Sequence, residues 1–99
     1  MYLALMDNAL RRIDQARYWM VDEDSLEKHH LLNTAVQIVG ELRSTLDIRA
    51  GGPYAANLDD LCDYMSRQLV VANLQNRVAT LDEVAGLLRE IRTAWGMMQ

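Results

Sequence analysis

Apolar residues recur every three or four positions along almost the whole chain, and the recurrence stops once, near the middle, at Gly51, Gly52 and Pro53. A spacing of three and four residues is the period of an amphipathic α-helix, whereas a half-buried strand would alternate strictly. Adjacent glycine and proline residues interrupt regular structure. The pattern therefore predicts an all-α chain with helical segments on both sides of one central break.

The chain divides into four predicted helices, near residues 3–20, 25–47, 53–74 and 81–97. Asp24 with Glu27, and Thr80 with Glu83, have the three-residue spacing of a capping box, which predicts that helices start beside them. Pro53 suits a first helical turn because its missing N–H would be unpaired there anyway. Short connections favour antiparallel neighbours, so we expect a single-domain antiparallel four-helix bundle over residues 1–99.

One apolar seam on each helix supplies the expected core. In the first helix the seam consists of Leu3, Met6, Leu10, Ile13 and Met20, with Arg17 in one apolar slot. An arginine can lay its stem along a core while its charged head stays in water. Across the other three helices we expect eight seam residues to be nearly free of solvent: Leu42, Leu46, Leu58, Met65, Leu69, Leu88, Ile91 and Trp95.

Composition and charge exclude several classes of function. Hydrophobic residues make up 51% of the chain and charged residues 24%, which is typical of a globular domain. No apolar run approaches the roughly 20 residues that cross a bilayer, so we expect a cytoplasmic protein without membrane insertion. The net charge is −4 and the nine arginines are dispersed, whereas a nucleic-acid-binding domain would show a basic face. We therefore expect no nucleic-acid partner.

Residues that could carry catalysis are few. Glu27 and His30 have the Glu-x-x-His spacing of di-metal bundles, but only one copy is present, and the helical wheel places His30 on the outer face. Cys62 occupies a seam position, where a buried small hydrophobe is expected rather than a nucleophile, and a single cysteine forms no internal disulfide. We therefore expect no enzyme, no metal and no cofactor.

Apolar residues outside the seams predict a partner-binding surface. They lie on the outer side of the third helix, beside the seam of the second helix, and around the central break. A wider core stripe is the plainer interpretation of such residues. A second apolar side on the third helix is nevertheless what a helix docking into a groove would need. The seven candidate partner-binding residues are Tyr64, Val71, Leu74, Leu31, Ile38, Ile48 and Tyr54.

The segment LDIRAGGPYAANL at residues 46–58 resembles the L-D-x-x-x-G-G-x-x-A-x-N-L segment of the FliS family of flagellar export chaperones. LCDYM at residues 61–65 is similar to the family's L-Y-D-Y-M, with Cys62 in place of a tyrosine. Ala72 with Asn73, the helix at 81–95, and LMDNAL at residues 5–10 extend the likeness over nearly the whole chain. Members usually carry a further N-terminal segment, so we expect a neighbouring copy to cover an apolar strip beside the first helix.

The resemblance implies a non-enzymatic cytoplasmic chaperone with an all-α fold. Such a protein would bind the disordered carboxy-terminal segment of flagellin, prevent premature polymerisation, and deliver flagellin to a component of the flagellar export gate. Two other classes stay open at this point. One is a generic helical-bundle adaptor or dimerisation module that self-associates through exposed apolar surface, and the other is a small metal-binding bundle enzyme.

Overall fold

A computed structural model describes residues 2–22, 25–46 and 48–97, and for residues 48–50 and 54 it describes the backbone alone. The described residues form four helices: α1 (Tyr2–Trp19), α2 (Leu26–Ser44), α3 (Ile48–Gln75) and α4 (Val78–Met97). No strand occurs in these ranges. The predicted all-α class and the count of four helices are confirmed.

The helices pack side by side in chain order around one core, and α4 closes the ring by packing on α1. Their directions alternate. The hydroxyl of Tyr2, at the start of α1, donates to the carbonyl oxygen of Thr45, just past the end of α2, over 3.0 Å. Arg17, near the end of α1, pairs with Asp82, near the start of α4. The molecule is therefore an antiparallel bundle, 43 Å long and about half as wide.

The core of the bundle follows the predicted seams on α2 and α3 and departs from them on α1. Leu42, Leu58, Met65, Leu69 and Leu88 are all buried, as predicted. On α1 the buried face keeps Met6, Ile13 and Met20 from the predicted seam, and Ala9 and Ala16 take the places of Leu10 and Arg17.

The predicted α1 seam is therefore wrong at three positions. Leu3 and Leu10 are half-buried and Arg17 is exposed. Small side chains let packed helices approach closely, so the two alanines face the neighbouring helices and the leucines lie at the flank of the buried stripe. Arg17 is drawn to the opposite flank by its carboxylate partner on α4.

Three further predicted core residues, Leu46, Ile91 and Trp95, are only half-buried. Leu46 lies beyond the last helical residue of α2, and the other two lie in the last two turns of α4. Trp95 packs against Tyr2 with the ring centroids 4.6 Å apart and the edge of one ring towards the other. We call this end of the bundle, where α1 begins and α4 ends, the open end.

The start of α2 differs in detail from the predicted capping box. Ser25 is the N-cap, and its hydroxyl oxygen accepts the backbone N–H of Lys28 over 3.2 Å. The same hydroxyl donates to a carboxylate oxygen of Glu27. Asp24, the predicted cap, lies outside the described residues. The predicted position of the helix start is correct to one residue.

The start of α4 was predicted three residues too late. Asn76 has a positive φ of 51°, which ends α3 in the left-handed conformation. The N–H of Arg77 then bonds to the carbonyl oxygen of Ala72 over 3.0 Å, which closes a Schellman-type turn. Because the chain reverses within two residues, α4 begins at Val78 and Thr80 lies inside its first turn rather than capping it.

The central break is a sharp kink rather than an extended loop. Gly52 has φ 57° and ψ −140°, a conformation that separates the turn at Ile48–Gly51 from the regular helix that resumes at Pro53. A side chain at Gly51 would collide with the Cβ of Ala55. The predicted start at residue 53 is thus where the long part of α3 begins.

Candidate partner-binding surfaces

Ion pairs join α1 to α4 along the length of the bundle. Arg17 bonds to Asp82 with Nε and Oδ1 2.8 Å apart, and Arg92 pairs with Asp7. These hydrogen bonds hold the pKa of Asp82 and of Asp7 below the usual range, since each arginine favours the charged carboxylate. Arg89 adds a pair with Asp14 at 3.2 Å. All of these side chains are well exposed, so the pairs orient the two helices more than they stabilise them.

A second set of ion pairs joins α2 to α3. The Nε of Arg43 lies 2.7 Å from Oδ1 of Asp59, and its Nη1 lies 3.3 Å from Asp63. The pKa of Asp59 is lowered because Arg43 donates to it. Asp63 also pairs with Arg67, one turn further along α3. The arginines in these pairs are therefore neutralised by carboxylates of a neighbouring helix. They are Arg17, Arg89 and Arg92 between α1 and α4, and Arg43 between α2 and α3.

A shallow apolar groove of about 430 Å³ lies beside these ion pairs, between α2 and the outer side of α3. Val36 contributes from α2, and Ser66, Arg67, Val70 and Val71 contribute from α3. Leu74, one turn beyond Val71 on the same side, is 78% exposed. Three of the five side chains that line this α2/α3 groove are valines.

The seven predicted partner-binding residues are not all on one surface. Val71 and Leu74 lie together on the outer side of α3, as predicted. Tyr64 is turned towards α4, because its hydroxyl donates to a carboxylate oxygen of Glu83. Leu31 lines a different groove, with Trp19 of α1.

The remaining three residues divide in the same way. Ile38 is half-buried against the core. The side chains of Ile48 and Tyr54 lie outside the described residues. Sequence reasoning missed Val36 and Val70, although both sit directly beside seam positions and could have been included with the flank residues.

A third groove lies between α3 and α4 near the open end. It has a volume of about 320 Å³ and is lined by Asn57, Leu58, Leu61, Glu90, Ile91 and Ala94. No residue of this α3/α4 groove was among the predicted partner-binding residues. Leu61 and Ile91 follow the helical spacing of apolar residues, so the sequence could have indicated them. Both are only half-buried in the structure.

The connection from α1 to α2 also exposes apolar side chains. Val21 is 92% exposed, and Tyr18 and Leu26 are largely exposed as well. Tyr18 contacts the ring of Trp19 edge to face. These residues form an apolar patch at the closed end of the bundle, opposite the open end.

Lys28 is the least expected residue of the interior, because its side chain is only 1% exposed. Its Nζ donates to the backbone oxygen of Asn73 and to Oδ1 of Asn76, each over 3.2 Å. The amide nitrogen of Asn76 in turn donates to the backbone oxygen of Met20 over 2.9 Å. This Lys28 network joins the start of α2 to the ends of α1 and α3 at the closed end of the bundle.

Cys62 and His30, two residues considered for chemistry, lie in different surroundings: the cysteine is buried and the histidine is exposed. Burial raises the pKa of the Cys62 thiol to about 11, so the thiolate is scarce at neutral pH. His30 is exposed, as the helical wheel predicted. No cluster of three or more His, Cys, Asp or Glu side chains that could hold a metal ion occurs among the described residues.

No helix in the described part of the chain has both the length and the apolar character needed to cross a membrane. The described part of the chain is a small antiparallel bundle with apolar grooves on its outer surface. The comparisons with known proteins identify its family.

The family model for the flagellar protein FliS matches residues 1–99. The flagellar secretion chaperone FliSB of Pseudomonas aeruginosa is 45% identical over 91 residues, which is 92% of this chain and 72% of that protein. The flagellar secretion chaperone FliS of Salmonella typhimurium is 39% identical over 92% of this chain and 68% of its own length. The Bacillus subtilis flagellar secretion chaperone FliS is 33% identical over 94% of this chain and 68% of its own length.

This chain belongs to the FliS family. The resemblance inferred from the Gly-Gly-Pro segment is therefore confirmed, and so is the assignment to a class of chaperones rather than enzymes.

Proposed function

We propose that this chain binds the disordered carboxy-terminal segment of flagellin in the cytoplasm, keeps it from polymerising, and presents it to a component of the flagellar export gate. The observation that carries the proposal is the two-sided character of α3. Its inner side is fully buried at Cys62, Met65 and Leu69, while its outer side still presents apolar side chains at Val71 and Leu74. A bundle has one interior, so the outer side is available to a partner.

The α2/α3 groove has the dimensions and chemistry of a helix-docking site. Val71 and Leu74 lie three residues apart on one side of α3, and Val36 and Val70 form the walls beside them. An amphipathic helix with apolar residues at the same spacing can place its side chains between these walls. A client that is disordered before binding gives up conformational entropy and gains contact area as it folds on the bundle.

The other predicted residues remain part of the proposed client surface at a distance from this groove. Leu31 and Ile38 lie on the flank of α2 that faces α1, and Tyr64 lies towards α4. A short helix in one groove does not reach all three. A client that wraps around the bundle does, and wrapping is the binding mode that a long disordered segment allows.

Val71→Asp tests the client surface. The substitution replaces an apolar side chain of the groove by a carboxylate that the bound client would have to desolvate, so we expect flagellin binding to weaken by at least about 2 kcal/mol, roughly thirty-fold. Calorimetric titration of the full chain with the carboxy-terminal segment of flagellin measures the change. Val21→Asp is the matched control, because it makes the same substitution at an exposed position outside the groove.

Unchanged affinity in a folded Val71→Asp variant would move the client to another surface. An unfolded variant would show that Val71 belongs to the core, and Leu74→Asp then provides the test, because Leu74 is far more exposed. Loss of affinity in both Leu74→Asp and Val71→Asp, with the Val21→Asp control unaffected, supports the proposed surface.

Self-association is the second candidate function, and the apolar patch at Tyr18, Val21 and Leu26 favours it. A dimer that buried this patch would cover three exposed apolar side chains at the closed end. Light scattering at micromolar concentration distinguishes the two candidates. A monomer would argue against a dimerisation module, and a dimer that dissociates in Val21→Asp would support one.

A further inference from the structure

The face between α3 and α4 carries charge of one sign. Two acidic side chains of α4 lie on this side: Glu83 accepts a hydrogen bond from Tyr64 of α3, and Glu90 lines the α3/α4 groove. Glu90 takes part in none of the ion pairs found among the described residues. Within the described residues, a negative edge therefore runs along α4 beside the α3/α4 groove.

The arginines with ion pairs among the described residues lie on other faces. Three of them pair with acidic residues of the α1 and α4 face, and Arg43 and Arg67 pair on the α2 and α3 face. Arg77 lies in the turn that joins α3 to α4, at the opposite end of the bundle from the groove. None of these six arginines pairs with Glu83 or Glu90, so a cation from another molecule can meet them.

The shape of the α3/α4 groove fits a helix. Leu58 and Leu61 line it from α3, and Ile91 and Ala94 line it from α4. Each pair is spaced by three residues, so the apolar floor runs along the two helix axes for about one turn or more. Ile91 remains half-buried although it lies in the α4 seam, because the groove leaves its outer side uncovered.

We propose that the α3/α4 groove binds an amphipathic helix of a partner protein whose apolar side chains enter the groove and whose flanking positions are basic. Lysine or arginine beside the apolar stripe would meet Glu90 and Glu83, whereas an acidic flank would be repelled by them. This inference stands on the charge and shape of the α3/α4 groove. The α2/α3 groove, where Val71→Asp tests the client, lies on the other side of α3, and none of the proposed client residues lines the α3/α4 groove.

Two synthetic helices probe the groove on the full chain. Each has about 15 residues, a length of roughly 22 Å, with the same leucine stripe and with either lysine or glutamate at the flanking positions. We expect the lysine helix to bind at least tenfold tighter by fluorescence anisotropy. That preference should shrink as salt is added, because exposed charges are screened.

Two substitutions locate the bound helix. Ala94→Arg fills the groove and adds a like charge, so the lysine helix should bind at least tenfold more weakly. Glu90→Lys should reverse the preference between the two helices. Ala4→Arg on α1 and Glu41→Lys on α2 are the matched controls, because both positions are exposed and lie on other helices. Both controls should leave the affinity within about twofold.

Equal affinity for the two synthetic helices would overturn the proposal, as would controls that weaken binding as much as Ala94→Arg. If Val71→Asp weakened the lysine helix as strongly as Ala94→Arg, the helix would lie in the α2/α3 groove instead. Ala94→Arg should leave the binding of the flagellin segment within about twofold. Loss of flagellin binding in that variant would show that the α3/α4 groove belongs to the client and would overturn the second site.

Discussion

Lys28 lies at a position that the helical spacing of α2 marks as buried, although lysine is usually a surface residue. The buried positions of α2 follow the series Lys28, Leu32, Ala35, Val39 and Leu42, in steps of four and three. Lys28 therefore occupies a seam position, although a lysine at the start of a helix is ordinarily taken as solvated. It is tolerated inside because the end of α3 presents oxygen atoms to its amine.

Lys28→Met should destabilise the bundle by about 1 to 3 kcal/mol. Methionine retains the apolar stem, but the backbone oxygen of Asn73 and the side-chain oxygen of Asn76 lose a donor in a partly buried site. Asn76→Gly keeps the positive φ of the turn and removes the amide. Urea unfolding of both variants and of the double variant measures their coupling.

The double variant should cost less than the sum of the two single variants, with a coupling of at least about 0.5 kcal/mol, since both remove one network. Strictly additive effects would mean that Lys28 and Asn76 act independently. A Lys28→Met variant more stable than the native chain would show that desolvation of the amine outweighs its hydrogen bonds.

Cys62 should be inert towards a thiol reagent in the folded protein and reactive after unfolding. Its side chain is buried in the core, and burial raises its pKa to about 11. A thiol in the unfolded chain has a pKa of about 8.5, so the folded state favours the protonated form of Cys62. The stability that the protonated thiol contributes is fully present below the pKa of the unfolded chain and is lost as pH rises towards 11.

Thermal melts between pH 8 and 11 check this dependence, with Cys62→Ala as the control that lacks the thiol. The native chain should lose more stability over that interval than the variant does. Rapid labelling of the native protein at pH 8 would contradict the buried position of Cys62.

At the scale of the elements, the kink in α3 depends on one backbone conformation. Gly52 has φ 57° and ψ −140°, a backbone conformation that residues other than glycine avoid. Gly52→Ala should therefore destabilise the bundle by about 1 to 3 kcal/mol. Gly40→Ala is the matched control, because Gly40 lies inside α2 with open space around its Cα.

The control should stabilise the chain by about 0.5 to 1 kcal/mol, since alanine restricts the unfolded chain and fits a helix. Both values come from chemical denaturation of the single variants. A Gly52→Ala variant as stable as Gly40→Ala would mean that the kink relaxes into continuous helix.

Helical periodicity predicted the existence of every helix, because apolar spacing reports the buried face directly. It failed at the ends. The start of α4 is fixed by the left-handed Asn76, and a chain reversal of this kind depends on a backbone conformation that several residue types can adopt. The Thr80 and Glu83 pair is therefore a capping motif in spacing alone.

The binding surfaces were only partly predictable for a related reason. The outer position of Val71 and Leu74 follows from the helical wheel of α3 alone. The position of Tyr64 depends on a hydrogen bond to the neighbouring α4, and the α3/α4 groove depends on how far two helices diverge near the open end. Contacts between helices require the packed bundle and are not contained in the period of either helix.

At the scale of the whole molecule, α3 has both a buried and an exposed apolar side, and one substitution on each side compares them. Leu69→Ala should cost about 2 to 5 kcal/mol, because Leu69 is fully buried between the other helices. Leu74→Ala should change the free energy of unfolding by less than about 0.5 kcal/mol, since Leu74 is exposed. Thermal melts of the two variants under identical conditions give the comparison.

A loss of less than 1 kcal/mol in Leu69→Ala would mean that the core is misassigned. A large loss in Leu74→Ala would mean that the outer side of α3 contributes to the fold and is not free for a partner.

The ring order of the bundle has a consequence for how the chain assembles. Contacts between α1 and α2, α2 and α3, and α3 and α4 join segments that are adjacent along the chain, and only the packing of α1 on α4 closes a long loop. Local contacts form fast and long loops cost entropy, so the three hairpins should appear early and the α1 to α4 seam last.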